Sequence, residues 1–158
     1  NEVPLSANLT SITSGSGANK STTDSATVFA SFGHYFTSQM VGQFAVGVLG
    51  TSSGSSTSSG AVILGVGGKY YFMDAHKGDV VPFAGARLDL VSLSSKSGGT
   101  TTTGSGSQIT GFVGASNFLS ETASLHLTLS LSAGSVEVSG TSSDYTSTML
   151  EIGFTQRF

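Results

Sequence analysis

Lys69, Arg87, Asp89 and Glu151 stand out first, because each is a charge set inside an otherwise uncharged, alternating stretch. Two cations and two carboxylates brought together can form a self-neutralising ion-pair cluster, or a gate whose pairs exchange to pass ions. Burial favours the first reading, since a charge taken out of water is tolerated only when it is paired. His126, Thr128 and Ser130 are a second constellation, spaced by two and therefore on one face of a strand. They offer a base and hydroxyls, but no acidic residue is placed beside them to orient the base. His34 and His76 have no partner at ligand spacing, and the chain has no cysteine, so neither a metal site nor a disulfide is expected. The run Gly65–Val66–Gly67–Gly68 is followed by neither a helix nor a Lys-Ser/Thr pair, so it does not read as a phosphate loop. Glycines inside a strand instead leave room for bulky neighbours, here Tyr and Arg side chains. No cofactor is implied.

The segments that carry these residues alternate with a period of two. Val3, Leu5, Ala7 and Leu9 mark a first strand. Residues 26–36 make a second, with Ala26, Val28, Ala30, Phe32 and Phe36 as its apolar set and His34 on the same face. Residues 41–49 and 61–72 follow, the latter with Val62, Leu64, Val66, Tyr70 and Phe72 against Gly65, Gly67, Lys69 and Tyr71. Residues 80–93 place Pro82, Ala84, Ala86, Leu88 and Leu90 opposite Phe83, Gly85, Arg87 and Asp89. Residues 108–118 leave two faces open, Ile109, Val113 and Ala115 competing with Phe112 and Phe118. Leu125, Leu127, Leu129 and Leu131 oppose His126, Thr128, Ser130 and Ser132. The apolar phase then shifts to Val136 and Val138, which predicts a bulge near Gly134–Ser135. Residues 148–158 close the series, Leu150, Ile152, Phe154 and Phe158 on one face and Glu151, Gly153, Thr155 and Arg157 on the other.

Between these eight strands the connections alternate long and short. The long ones, 14–24, 51–59, 94–107 and 140–147, are rich in Ser, Thr and Gly and read as loops. The even count returns both ends of the chain to one side. The expected fold is all-β, a single domain over 1–158: a closed, antiparallel, up-and-down, eight-stranded transmembrane β-barrel. Closure follows from lipid itself, where every backbone group needs an internal partner and an open edge has none.

Composition agrees. Charged residues are only 9% of the chain, about a third of the usual share. No apolar run is long enough for a membrane helix. A net charge of −3 with six scattered basic residues argues against nucleic acid. The charges inside strand bodies all lie on the parity opposite the large apolar residues. That is what selection leaves when an Arg or Lys on the lipid face costs about 2–4 kcal/mol near midplane. A soluble barrel would reverse the faces and need charge on its outside; the less apolar face here is mostly Gly, Ser, Thr and Ala.

Strand rhythm, the G-x-K-Y-Y-F segment (Gly67 to Phe72) leading into V-P-F-A-G-A-R-L (Val81 to Leu88), and a closing phenylalanine resemble small bacterial outer-membrane barrels of the OmpA/OmpX type. The resemblance spans the whole chain. Gln156 stands where such terminal strands usually carry another apolar residue. The resemblance implies a bacterial outer-membrane location after signal-peptide removal, termini in the periplasm and long loops outside. It also implies that Leu150, Ile152, Phe154 and Phe158 form a C-terminal signal read by the barrel-assembly machinery. The implied partners are outer-membrane lipids and that machinery, the implied state is a monomer, and the implied role is structural or surface-interacting rather than enzymatic. A small-solute or ion channel is the alternative. A lipid-modifying barrel enzyme is a further one: barrels that deacylate lipid A resemble the His126–Thr128 spacing but carry Ser where Thr128 stands. An eight-strand lumen is just filled by side chains, so Lys69, Arg87, Asp89 and Glu151 are expected inside it.

Overall fold

A computed structural model describes residues 1–14, 21–53, 57–74 and 76–158. The strands are β1 (Glu2–Ser14), β2 (Ser21–Tyr35), β3 (Met40–Ser53), β4 (Thr57–Tyr71), β5 (Val80–Ser97), β6 (Thr100–Phe118), β7 (Ala123–Val138) and β8 (Thr141–Arg157). Each pairs antiparallel with its sequence neighbour, and β8 returns to β1, closing the barrel. Alternation decides which way each side chain points. On β8, Ile152 is 67% exposed on the outside while Thr155 is 1% exposed inside. Val62, Leu64 and Val66 of β4 and Leu125 to Leu131 of β7 extend the same outward apolar band. Apolar residues outside and polar ones inside is the arrangement that a hydrocarbon surround selects.

The face left open on β6 is settled by packing. Ile109 and Val113 point outward, whereas Phe118 is buried in a cluster with Val41, Tyr71, Val81 and Phe83, and Phe112 packs against it. The hairpin β4–β5 pairs Tyr71 with Phe83 and Lys69 with Gly85, which puts the expected inward faces of the two strands side by side.

Two expectations fail for a common reason. The stretches 94–107 and 140–147 are not long loops: Ser94–Ser97 pairs with Thr100–Thr103, and Thr141–Ser147 with Ser132–Val138. The links are the two-residue turns Gly98–Gly99, at φ 55° and 86°, and Ser139–Gly140, at φ 52° and 80°. Positive φ at both central residues matches the twist of the flanking strands, which is why such turns close hairpins. Residues 21–24, 51–53 and 57–59 are likewise paired, while 15–20, with Lys20, and 54–56 lie outside the described residues. Thr is β-branched and fits a pleated strand, so composition alone misreads a polar strand as a loop. The bulge near Gly134–Ser135 is also absent. Both ladders of β7 run through it without a break, Gln108↔Gly134↔Tyr145 and Ser107↔Ser135↔Asp144. Val136 keeps the inward parity and is buried; the interior has become apolar there, and the strand has not slipped.

The short links are hydrogen-bonded. Thr37 Oγ1 accepts from the Met40 N–H at 2.9 Å, Asp79 Oδ2 accepts from the His76 N–H at 3.0 Å, and the Leu119 N–H donates to the Ala123 carbonyl at 2.9 Å.

Replacing Leu129, outward on β7 between Val113 and Leu150, tests the parity. Leu129→Arg is expected to lower stability in lipid vesicles by about 2–4 kcal/mol, measured by urea unfolding. A cost below about 0.5 kcal/mol, the range of an ordinary surface substitution, would place that face in water.

Candidate functional site

Glu2 is the most constrained polar residue near the terminal end of the lumen, at 0% exposure. The first inward position of β1 puts it there, opposite Arg157 on β8. Its carboxylate forms a salt bridge with Lys69 of β4. Tyr35 and Tyr71 hydroxyls donate to Oε2 at 2.8 and 3.1 Å, and Gln43 Nε2 donates to Oε1 at 3.4 Å. Arg157 Nε lies 3.9 Å from Oε2. Side chains from β2, β3, β4 and β8 thus converge on one carboxylate of β1.

Aromatic rings complete this plug. Arg157 lies over Phe118 at 4.2 Å, over Tyr35 at 5.1 Å and over Tyr71 at 5.2 Å, and Lys69 over Tyr71 at 4.6 Å. Each desolvated cation–ring contact contributes about 1–2 kcal/mol. Tyr71 stacks on Tyr35 and meets Phe83 and Phe118 edge-on.

Midway up, Arg87 Nε donates to Asp89 Oδ1 at 2.5 Å. Gln108 and Thr110 donate to Asp89 Oδ2 at 2.8 and 2.9 Å. The Tyr145 hydroxyl donates to Gln108 Oε1 at 2.7 Å, and Thr110 exchanges a hydrogen bond with Ser132 at 2.8 Å. Arg87 also lies over the Phe29 ring at 4.8 Å. Across the sheet stands Gly65, paired with Asp89. A Cβ there would collide with Asp89 Oδ1 and come within 2.7 Å of Arg87 Cδ, so the glycine supplies the room the ion pair occupies.

The four charges singled out by their sequence context therefore divide. Arg87 and Asp89 form one pair. Lys69 belongs to the Glu2 plug. Glu151 accepts from Ser130 Oγ at 3.3 Å and shares the wall of a cavity of ≈ 70 Å³ with Lys69, Arg87, His126 and Thr128. His126 Nδ1 meets Thr155 Oγ1 at 3.3 Å, so the hydrogen bond that would orient a base runs to a hydroxyl. Glu2 itself looks in sequence like a charge at a strand end. Its parity with the polar side of the first strand, and the antiparallel return of the last strand onto the first, are the two signals that point to it.

A double-mutant cycle tests the upper pair. Arg87→Met strands the Asp89 carboxylate, a loss of about 3–5 kcal/mol where the site is dry and less where lumenal water reaches it. Adding Asp89→Asn is expected to recover part of that loss; strict additivity in denaturant unfolding would show that the two side chains are not coupled.

No family model matches the sequence, and no curated protein matches it either. Solved structures do. Neisserial surface protein A (NspA) is 20% identical, covers 99% of this chain and 96% of its own, and superposes with a TM-score of 0.74. The N-terminal β-barrel domain of Pseudomonas aeruginosa OprF is 14% identical, covers 98% of this chain and 97% of its own, and scores 0.51. A major outer membrane protein of Thermus thermophilus is 15% identical, with 99% and 98% covered and a score of 0.50. At these identities the likeness speaks to architecture. In fold, the chain is an eight-stranded transmembrane β-barrel like those of small outer-membrane proteins of the OmpA/OmpX type.

Proposed function

We propose that this protein is an integral barrel of a bacterial outer membrane with a structural or surface-interaction role, its termini in the periplasm and its Ser/Thr/Gly-rich hairpins outside. One observation carries the reading: the plug at the terminal end, where a fully buried Glu2 holds Lys69, Tyr35 and Tyr71 across the lumen. A lumen obstructed by an ion pair under stacked rings supports a closed barrel over an open pore. The partners of Glu2 come from several strands, so opening the plug means breaking several hydrogen bonds together. The runner-up roles, a small-solute or ion channel and a lipid-modifying enzyme, need respectively an opening of that plug and an oriented base beside Thr128 or Ser130. The surrounding lipids and, during biogenesis, the barrel-assembly machinery are the partners this reading requires, with the monomer as the working unit.

Planar-bilayer recording is the direct test. The unaltered protein is expected to conduct near background, and Glu2→Ala combined with Tyr71→Ala to raise conductance by clearing the plug. Steady, large single-channel steps from the unaltered protein would instead make it a channel.

The outward stripe Leu150, Ile152, Phe154 and Phe158 is proposed as the segment that the assembly machinery reads. Deleting Phe158 is expected to reduce the folded barrel in cell membranes several-fold while leaving refolding in detergent nearly unchanged, both measured by resistance to unfolding on gels. Equal losses in the two settings would reduce its role to packing.

A further inference from the structure

Above the Arg87–Asp89 pair the lumen changes character. Barrel interiors of this class are ordinarily polar, but here Phe29, Ala61, Ile63 and Val91 form a buried apolar cluster inside the wall. The cluster does not fill the space it borders. With Val136 and Met149 it lines a cavity of ≈ 430 Å³. Packed protein interiors leave few voids larger than a water molecule, so side chains placed only for packing would have closed this one. Farther round the wall, Val91 pairs with Gly106 and Leu93 with Gly104 on β6, and Gly134 of β7 pairs with Gln108. These glycines hold inward positions and bring no side chain into the space.

The two ends of the cavity are polar. At the floor, Gln108 and Thr110 stand beside Arg87, and their bonds are already made. Both donate to Asp89 Oδ2, and the Tyr145 hydroxyl donates to Gln108 Oε1. At the rim, the Thr51 and Ser59 hydroxyls meet at 2.6 Å. An occupant therefore meets a broad aliphatic wall and polar groups that are engaged with one another. An anion would sit beside Asp89 and Glu151, with Arg87 already paired. A cation would lose its water against Ile63 and Val91, and desolvating a charge costs far more than burying an apolar surface gains.

We propose that the upper lumen is a binding site for a small, uncharged, predominantly apolar molecule, which enters from the hairpin-tip end and stops on the Arg87–Gln108–Thr110 floor. The volume lies in the range of about 300–1,000 Å³ usual for small-molecule sites. Of the two ends of the lumen, the terminal one is obstructed by Glu2 with Lys69, Tyr35 and Tyr71, so the occupant arrives from the other and goes no farther. The proposal rests on the closed, plugged barrel of the reading above and adds a ligand to it.

The three methionines of the chain are placed to test this. Met149 lines the cavity, whereas Met40 and Met73 are exposed at the terminal end. The protein is labelled at its methionine methyls and held in nanodiscs of chain-deuterated phospholipid. Titration with 1-naphthol at neutral pH, a neutral aromatic alcohol, is expected to shift the Met149 methyl saturably and to give it a nuclear Overhauser contact to the naphthol ring. Met40 and Met73 are expected to respond only in proportion to the naphthol dissolved in the lipid. Ile63→Phe and Val136→Phe each take up cavity space from a different strand. Each is expected to weaken the Met149 response several-fold, with unmoved Met40 and Met73 signals showing that the barrel is intact. 1-Naphthalenesulfonate and 1-naphthylmethylammonium, which carry a negative and a positive charge on the same ring system, are expected to bind several-fold more weakly than 1-naphthol. A Met149 shift that does not saturate, or one that both substitutions leave unchanged, overturns the proposal. So does equal or tighter binding of either charged analogue, which would make the floor an ionic site. Collapsed Met40 and Met73 signals in the unaltered protein would instead remove the closed barrel beneath it.

Discussion

The Glu2 carboxylate sits where closure is decided. A barrel in hydrocarbon has one seam at which its first and last strands must meet, and every backbone group left open there lacks a partner. Every other pair of neighbouring strands is consecutive in sequence; only β1 and β8 must find each other across the full length of the chain. Glu2↔Arg157 is the terminal pair of that ladder, and the same carboxylate reaches Lys69 on β4 and Tyr35 on β2. Its burial costs several kcal/mol before pairing, and only the closed ring supplies all the donors at once. The plug and the closure are therefore one event, and the narrow lumen follows from it.

From that end upward the interior changes from charges set among aromatic rings to aliphatic side chains. Lys69 and Arg157 lie against aromatic rings, Arg87 lies against Asp89 with Phe29 beside it, and Ile63, Val91 and Val136 stand above. Glycine sets where bulk can be placed. Gly47 accommodates the Phe29 ring as Gly65 accommodates the Arg87–Asp89 pair, so each large side chain is seated against a strand position that has none. Eight strands leave little room, and this matching of bulk to absence lets ion pairs and inward aromatic rings share it.

The architecture is legible because lipid imposes one pattern on every strand: the leucines of β7, the Val-Leu-Val run of β4 and the stripe of β8 each state their face. Legibility ends where that pattern lapses. Above the apolar band both faces of a strand are polar, so Thr100–Thr103 shows no alternation even though each residue pairs with β5. Val136 misleads in the opposite sense, since an apolar residue reads as marking the outside where the interior itself has turned apolar. Phe112 and Phe118 leave the face of β6 open for the same reason, being apolar residues that point inward. The site is harder. Arg87 and Asp89 share one face of one strand as nearest neighbours, so their encounter is local and visible. Glu2 and Lys69 lie on β1 and β4, three strands apart, and their meeting across the lumen depends on the curvature that closing the ring imposes.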